Sequence, residues 1–275
     1  MNTARIAELL EPFLVTPIVI QDASSIAKGG VLHPEELRTQ GQSAALSPTQ
    51  LQHISTYIDI LCRWNARINL TAIRDPEEIV TRHFGESLFT ARNLFPDGQA
   101  PDGGAPDASA IRGRAALQGR VAGQGESRAL APVATRVADI GSGAGFPGLP
   151  IKLWAPQLSL TLIEANHKKA TFLREITRAL TLTDVDIQNT RAESLGPAAF
   201  GVVTLRAVER FEAILPTAAA LVAPGGRLAL LIGSAQQDQA RRFLPQFKWS
   251  DPVPIPASGT RILLVSHRET TNQAG

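Results

Sequence analysis

The sequence of 275 residues contains a single cysteine, Cys62. One thiol excludes an internal disulfide framework and a zinc site built from several cysteines, and it is typical of a reducing compartment. Long apolar runs are also missing, since no segment reaches the roughly 20 apolar residues that cross a bilayer. The amino terminus lacks the basic-then-apolar layout of a signal peptide. We therefore expect a cytoplasmic protein without a membrane partner and without a bound metal.

Charge does not identify a partner for the chain as a whole. The 27 Lys and Arg residues against 25 Asp and Glu leave a formal net charge of +2. An isoelectric point near 9.0 mildly favours polyanions. Local clusters of basic residues therefore carry more information than the total.

Composition divides the chain into five segments. Three of them lack a hydrophobic period and bury too little apolar surface to offset the entropy of ordering, whereas the other two show the patterns of packed domains. We predict a poorly defined extension over 1–45 with a short amphipathic helix at 4–14, a helical segment over 46–96 on the substrate side, a flexible Gly/Ala/Pro-rich insertion over 97–132, a second domain over 133–268 and a disordered tail over 269–275.

The helical segment begins with a capping signal. Ser47 precedes Pro48, and Gln50 follows three residues after the serine, which is the layout of a capping box. Apolar residues then recur at helical spacing, and a second helix start follows at Asp75. We therefore predict helices between residues 47 and 95, joined by the loop RINLTAIRD.

From residue 133 onward, short apolar runs alternate with helical patterns, which predicts an α/β fold with a parallel, doubly wound sheet. Residues 251 to 266 predict a terminal hairpin that adds an antiparallel edge. The predicted strands are 136–140, 159–164, 185–189, 202–205 and 228–232, the predicted helices are 147–154, 168–179 and 211–222, and a turn is predicted at 224–226.

The stretch VADIGSGAGFPGLP, residues 137–150, places glycines directly after the first predicted strand. At such a junction, the missing side chains of Gly141, Gly143 and Gly145 let backbone N–H groups approach a ligand. The negative charge of Asp139 disfavours a pyrophosphate but suits the ammonium and sulfonium groups of S-adenosylmethionine. Glu164, 23 residues past Gly141, is placed to accept both ribose hydroxyl groups. The pattern favours S-adenosylmethionine over two alternatives, a nicotinamide cofactor and a turn without ligand.

Three segments carry a resemblance to one known family. They are WNARINLTAIRDPEEIVTRHFGESL at 64–88, ADIGSGAGFPGLPIKLWAPQLSLTLIEANHKKATFLREI at 138–176 and LRAV at 205–208. On these residues the chain resembles the bacterial small-subunit ribosomal RNA methyltransferase G family, also called glucose-inhibited division protein B. The first segment is the most specific of the three, because the glycine turn alone is generic to methyltransferases. The resemblance covers residues 46–96 and 133–268.

The resemblance implies methylation of a guanine N7 in 16S ribosomal RNA, as naked RNA or in a small-subunit precursor, with S-adenosylmethionine as cofactor. The implied fold is a class I, Rossmann-like methyltransferase domain over 133–268 with an N-terminal helical extension, and we expect a monomer. By motif position, the resemblance assigns Gly141, Phe146, Ala192 and Glu193 to the cofactor site, and it assigns Arg206 a further cofactor contact near the transfer end.

Three positions depart from the family pattern. Glu164 and Glu86 stand where the family usually has aspartate. Ile232 precedes Gly233 at a place where the family usually has lysine, which puts one expected basic contact in doubt.

The implied reaction needs little acid–base chemistry. Guanine N7 carries a lone pair and no proton, so it can attack a sulfonium methyl without a general base, and the protein contributes positioning and electrostatics. Arg206 is therefore a positioning residue in this hypothesis. The candidate contacts to the RNA substrate are Arg74, Arg82, His83, Lys168 and Lys169.

Three other functions are compatible with parts of the pattern. A nicotinamide-dependent oxidoreductase predicts a Tyr-x-x-x-Lys proton relay, whereas the only tyrosine, Tyr57, precedes the sheet domain. A non-catalytic RNA-binding protein needs no cofactor turn. A methyltransferase for a small molecule or another RNA shares the turn and differs only in its substrate.

Overall fold

The computed structural model describes residues 1–15, 45–96, 98, 136–207 and 210–269. Most of the predicted extension, nearly all of the predicted insertion, the tail beyond 269 and Val208 of the LRAV motif lie outside the described residues. The domain boundaries that composition suggests therefore stay predictions. In the described ranges, no helix combines the length and hydrophobicity that a membrane span requires.

The helical segment packs against the sheet domain. Its elements are α2 (Pro48–Ile68), a single turn at Pro76–Glu78, a π-helical segment at Ile79–Gly85 and α3 (Glu86–Leu94). Helix α1 (Thr3–Leu14) lies in the predicted extension and packs against this segment. The predicted capping box is confirmed, since the Ser47 hydroxyl accepts from the N–H of Gln50 (3.2 Å) and the Gln50 side chain accepts from the N–H of Ser47 (2.7 Å). The π-helical segment is a structural finding, and such segments are frequent at functional sites.

The sheet has eight strands, and its path runs β3-β2-β1-β4-β5-β8-β6, with β7 paired to β8. The strands are β1 (Arg136–Ile140), β2 (Ser159–Ile163), β3 (Val185–Gln188), β4 (Phe200–Arg206), β5 (Val222–Gly233), β6 (Phe247–Trp249), β7 (Val253–Pro254) and β8 (Arg261–Arg268). The first five are parallel, and β8 runs antiparallel to β5. The predicted α/β fold with an antiparallel carboxyl-terminal hairpin is confirmed.

Helices connect the strands, as the alternating pattern predicts. They are α4 (Gly148–Trp154), α5 (His167–Ala179), α6 (Phe211–Leu221) and α7 (Gln237–Phe243). The turn predicted at residues 224–226 falls within the bounds of the long strand β5. There the chain bulges, with a positive φ of 74° at Gly225 and a shifted register opposite Phe200.

Buried side chains form one cluster on each face of the sheet. Val137 and Leu162 belong to the cluster shared with the helical segment, whereas Ala138 and Ile163 belong to the cluster beneath α6. Both faces of β1 are therefore covered, which leaves the carboxyl edge of the sheet for ligands. The strand order reverses between β1 and β4. In open α/β sheets, ligands bind at such a switch point.

Candidate functional site

The glycine turn joins β1 to α4 at the switch point. Gly141, Gly143 and Gly145 have φ angles of +66°, +55° and +87°, in the left-handed region that favours glycine. The N–H groups of Gly141 and Ser142 both donate to the carbonyl of Ile163, at 2.9 and 3.1 Å. The turn is therefore fastened to the end of β2 by its own backbone.

The three glycines of the turn have different surroundings. A Cβ atom added at Gly141 would meet no atom within 4 Å, so the space beside this residue is open. At Gly145 the added atom would overlap the Tyr57 hydroxyl and the side chain of Leu149. The missing side chain at Gly145 thus serves packing, whereas the one at Gly141 leaves room for a ligand. The cofactor contacts predicted for all three glycines stay predictions.

Asp139 supports the turn from inside the protein. Its side chain is fully buried, and its carboxylate accepts from the Thr204 hydroxyl (2.8 Å) and the N–H of Gly148 (3.3 Å). Burial raises the pKa of this carboxyl to about 6, while the bonds from Thr204 and Gly148 act in the opposite direction. The Asp139 carboxylate thus bonds within the protein here, and its predicted contact with the cofactor stays a prediction.

Glu164 joins the ends of β2 and β1. One carboxylate oxygen accepts from the N–H of Gly143 (2.9 Å), and the other accepts from the N–H of Asn166 (2.7 Å). Each oxygen has two lone pairs, so each can accept one further hydrogen bond. The predicted ribose contact remains chemically open, and the carboxylate is already oriented for it by two backbone groups.

Phe146 connects the turn to the helical segment. Its ring is stacked between Tyr57, at a centroid distance of 5.4 Å, and His83, at 4.8 Å. The buried Tyr57 hydroxyl donates to the carbonyl of Ala144 (2.5 Å). Aromatic packing therefore holds the turn against α2 and the π-helical segment. If Phe146 lines the cofactor site, as the resemblance implies, its ring is kept in place from both sides.

Arg206 ends β4, and three groups of the helical segment hold its guanidinium. Its terminal nitrogens contact His83 Nδ1 (3.1 Å), the carbonyl of Arg82 (2.7 Å) and Glu86 Oε2 (3.0 Å). Burial lowers the pKa of its guanidinium to about 10, and the charge of Glu86 opposes that effect. Arg206 therefore stays protonated at neutral pH in a fixed orientation.

His83 is a support for Arg206 in this conformation. Because the guanidinium can only donate, His83 Nδ1 accepts, and Nε2 carries the proton toward the hydroxyl of Thr71 at 2.8 Å. Burial lowers the pKa of His83 to about 3, with the charges of Arg206, Arg261 and Arg82 adding to the effect. The predicted substrate contact of His83 stays a prediction, since both ring nitrogens have protein partners here.

The segment before the π-helix is organised by its own side chains. Asn65 accepts from the N–H of Thr71 (3.0 Å) and donates to the carbonyl of Ile73 (3.2 Å). Arg74 donates to the carbonyl of Asn65 (3.1 Å) and to the side chain of Asn69 (2.8 Å). The residues of the family-specific motif therefore shape a loop, and Thr71 of that loop bonds to His83.

The remaining predicted residues lie on the same carboxyl edge. Ala192 and Glu193 form a short 3₁₀ turn beyond β3, with Ala192 buried and Glu193 exposed. Lys168 and Lys169 begin α5 beyond β2, where the Asn166 side chain accepts from both of their N–H groups. Their roles at the cofactor and in RNA binding stay predictions.

A pocket of about 380 Å³ opens beyond β4 and β5, and we call it the arginine pocket. It is lined by Ile232, which stands where the family that the sequence resembles usually has lysine. Arg261 pairs with Gly233 across the sheet and lines the same pocket. A basic side chain thus reaches this place from β8 instead of β5. The residues lining it are Arg82, Leu205, Arg206, Ala207, Phe211, Leu231, Ile232, Gly233, Gln236, Thr260 and Arg261.

Three residues of the site carry no clear sequence signal. Thr204 lies mid-strand, and only the pairing of β4 with β1 brings it to Asp139. Glu86 differs from the family pattern only by replacing an aspartate, and Arg261 lies in the predicted hairpin. The Glu86 carboxylate contacts Arg206 at 3.0 Å and Arg261 at 3.1 Å. For Glu86, the one signal in the sequence was its place in the segment that follows Arg82 and His83.

The chain is similar to known proteins over most of its length. The family model described as rRNA small subunit methyltransferase G, GidB, matches residues 50–102 and 127–254. A Ribosomal RNA small subunit methyltransferase G of Xanthomonas campestris pv. campestris (strain B100) is 32% identical over 217 residues, which cover 78% of this chain and 84% of that protein. A protein of the same name from Roseiflexus castenholzii is 34% identical over 232 residues, covering 80% and 84%. Among solved structures, a SAM dependent methyltransferase from Aquifex aeolicus is 13% identical with a TM-score of 0.42, covering 48% of this chain and 81% of that one.

Proposed function

Because the chain belongs to the rRNA small subunit methyltransferase G family, we propose that it methylates the N7 of a guanine in 16S ribosomal RNA. It is an S-adenosylmethionine-dependent methyltransferase, as the sequence predicted. One structural observation supports the proposal most directly. Phe146 of the glycine turn stacks on His83, and His83 binds Arg206, so the cofactor turn and the end of β4 form one continuous structure.

The residues of the turn fit the cofactor. The open position beside Gly141 leaves space for a ligand against bare backbone, and Glu164 keeps unused acceptor capacity on both carboxylate oxygens. When bound, S-adenosylmethionine supplies an activated methyl group on a sulfonium. We propose that Gly141 and Glu164 hold its nucleoside end, with Phe146, Ala192 and Glu193 beside them.

The work left to the protein is positioning. Guanine N7 attacks with an in-plane lone pair and releases no proton, so a fixed geometry at near-attack distance lowers the barrier by about 7–11 kcal/mol in favourable cases. Arg206 is suited to this task because His83, Arg82 and Glu86 fix its guanidinium. His83 is held neutral by its burial, which keeps Nδ1 available as the acceptor for Arg206.

The oxidoreductase alternative is disfavoured by the surroundings of Tyr57. Its hydroxyl is buried and donates to the carbonyl of Ala144, so it has no path for a proton to a ligand. Burial also raises the pKa of this phenol well above its usual value. The alternative of a small-molecule methyltransferase is separated from the proposed function by the assay that follows.

The test uses purified protein, S-adenosylmethionine with a tritiated methyl group, and three acceptors: small-subunit ribosomal RNA, assembled subunits and a metabolite extract. We expect label in RNA and strand scission at one guanine after reduction and aniline treatment, which cleaves at N7-methylguanine. Label found only in metabolites would contradict the proposal. Arg206→Lys keeps the charge but loses the fork that binds three partners, so we expect slower methyl transfer.

The location of the protein, the form of its RNA substrate and its oligomeric state are further parts of the proposal. We propose that it acts in the cytoplasm, where small-subunit RNA is assembled into particles. Comparison of naked RNA with assembled subunits in the same assay decides which of the two it takes. The expected monomeric state stays a prediction that light scattering of the pure protein tests.

A further inference from the structure

The arginine pocket combines positive donors with an apolar floor. Leu205, Phe211 and Ile232 supply apolar surface, and the guanidinium groups of three arginines supply the donors. Within the part of the chain that the structure describes, no acidic side chain lines the pocket. Such a lining is suited to an anion attached to a larger, partly apolar body. The three basic residues are Arg82, Arg206 and Arg261.

Glu86 organises these arginines from behind the pocket. Its side chain is 2% exposed, and its Oε2 lies 3.0 Å from Arg206 and 3.1 Å from Arg261. Its Oε1 lies 3.4 Å from the Nε of Arg82. One buried carboxylate thus gathers three guanidinium groups at the same place. On the outer side, Arg82 also lies 3.6 Å from Glu78.

The arginine cluster carries more N–H donors than its one buried carboxylate can accept. The Nε–H groups of Arg206 and Arg261 are buried and make no well-aligned hydrogen bond, although the Nε of Arg261 lies 3.1 Å from Glu86 Oε2. The ion pair of Arg261 with Glu86 uses its Nε, and the side chain stays 21% exposed where it lines the pocket. Three guanidinium groups line an open pocket and share one carboxylate behind it, which leaves positive charge at the pocket for an anionic ligand.

We infer that the arginine pocket binds a phosphodiester group of the RNA, next to the guanine that accepts the methyl. This inference rests on the proposed function. Guanidinium groups match phosphate oxygens with two parallel hydrogen bonds, which also fixes orientation. The N7 edge lies in the deep, narrow groove of A-form RNA, so the target nucleotide has to leave its helix. A phosphate held beside Arg206 would keep the extruded nucleotide at the transfer end.

The test compares RNA binding of the wild-type protein with that of Arg261→Gln at several salt concentrations. We expect about tenfold weaker RNA binding, because a charge-assisted hydrogen bond is lost. The slope of log affinity against log salt should fall by about 0.7, the value for one phosphate contact on a single strand. The dissociation constant of S-adenosylmethionine should stay unchanged. Arg261→Lys should restore most of the slope.

The matched control is Arg178→Gln, which removes the same charge from the exposed end of α5, away from the pocket. It should leave both RNA affinity and salt slope at wild-type values. If Gln at 261 prevents folding, Arg82→Gln tests the same pocket, because this side chain is 44% exposed. It should lower the slope by a similar amount.

Three outcomes separate the inference from its premise. A wild-type protein that transfers no methyl to ribosomal RNA overturns the proposed function itself. Efficient RNA methylation by the wild type, together with an unchanged salt slope in Arg261→Gln, overturns the phosphate site alone. Weaker S-adenosylmethionine binding with an unchanged slope also overturns it, and assigns the pocket to the carboxylate of the cofactor.

Discussion

The glycine turn after β1 and the arginine pocket after β4 and β5 lie on one sheet edge but satisfy their polar groups in opposite ways. In the turn, N–H groups meet acceptors inside the protein: Gly143 bonds to Glu164 and Gly148 bonds to Asp139. In the pocket, three arginines share a single buried carboxylate, Glu86. The turn therefore offers a preformed shape, and the pocket offers unused charge.

This difference assigns different tasks to the two regions. A shape that is complete without ligand suits a cofactor that binds in the same way at every turnover. Unused positive donors suit a polyanion, whose affinity comes mainly from its phosphates. His83 lies between the regions, since it stacks on Phe146 and accepts from Arg206. Four substitutions probe the comparison.

The largest effect is expected for Gly145→Val. The new side chain would overlap the Tyr57 hydroxyl and Leu149 at a φ of +87°, which combines overpacking with backbone strain. We expect a loss of about 4 kcal/mol or more in the free energy of unfolding, measured by urea denaturation. Gly259→Val is the control, because a Cβ there meets no atom within 4 Å. Equal stability of the two variants would contradict the packing role of Gly145.

Glu86→Gln tests how the arginine pocket is held together. It removes the buried carboxylate that neutralises Arg206 and Arg261, and an uncompensated buried charge costs about 3 kcal/mol or more. Glu86→Asp retains the charge and should lose less stability. Thermal unfolding of both variants measures the difference. A glutamine variant as stable as the aspartate variant would show that the carboxylate charge is not what holds the arginines.

Gly141→Val separates shape from stability in the turn. The space beside this residue is open, so the fold should lose only about 1–2 kcal/mol to strain at a φ of +66°. The valine would fill the cofactor space, and we expect S-adenosylmethionine binding to fall below detection in calorimetry. Wild-type affinity in the folded variant would remove Gly141 from the cofactor site.

The smallest effect at neutral pH is expected for His83→Gln, and it grows in acid. The folded-state pKa of His83 is about 3 against an ordinary 6.5, so only the unfolded state takes up the proton between these values. His83 therefore destabilises the wild type as pH falls from 6.5 toward 3. Relative to the variant, the wild type should lose about 2 kcal/mol between about pH 7 and about pH 5. Urea denaturation at both pH values measures this loss, and parallel pH profiles would show that His83 is protonated in the fold.

Much of the fold could be predicted because its signals are local. The Ser47 capping box, the alternation of strands and helices, and the glycine turn after β1 each depend on residues within one element or its ends. The early start of β5 could not be predicted, because the pairing of Val222 with Phe200 before the turn depends on the neighbouring strand.

For the site, the sequence by itself determined which residue types come together: glycines after a strand, a carboxylate after the next, and an arginine at the end of the fourth. Only the tertiary structure decided that Asp139 is buried and that Gly141 borders open space whereas Gly145 is packed. It also decided that Glu86 joins Arg206 to Arg261. The physical reason is separation along the chain. His83 and Arg206 are 123 residues apart, and the contact between them exists only after the helical segment packs on the sheet edge.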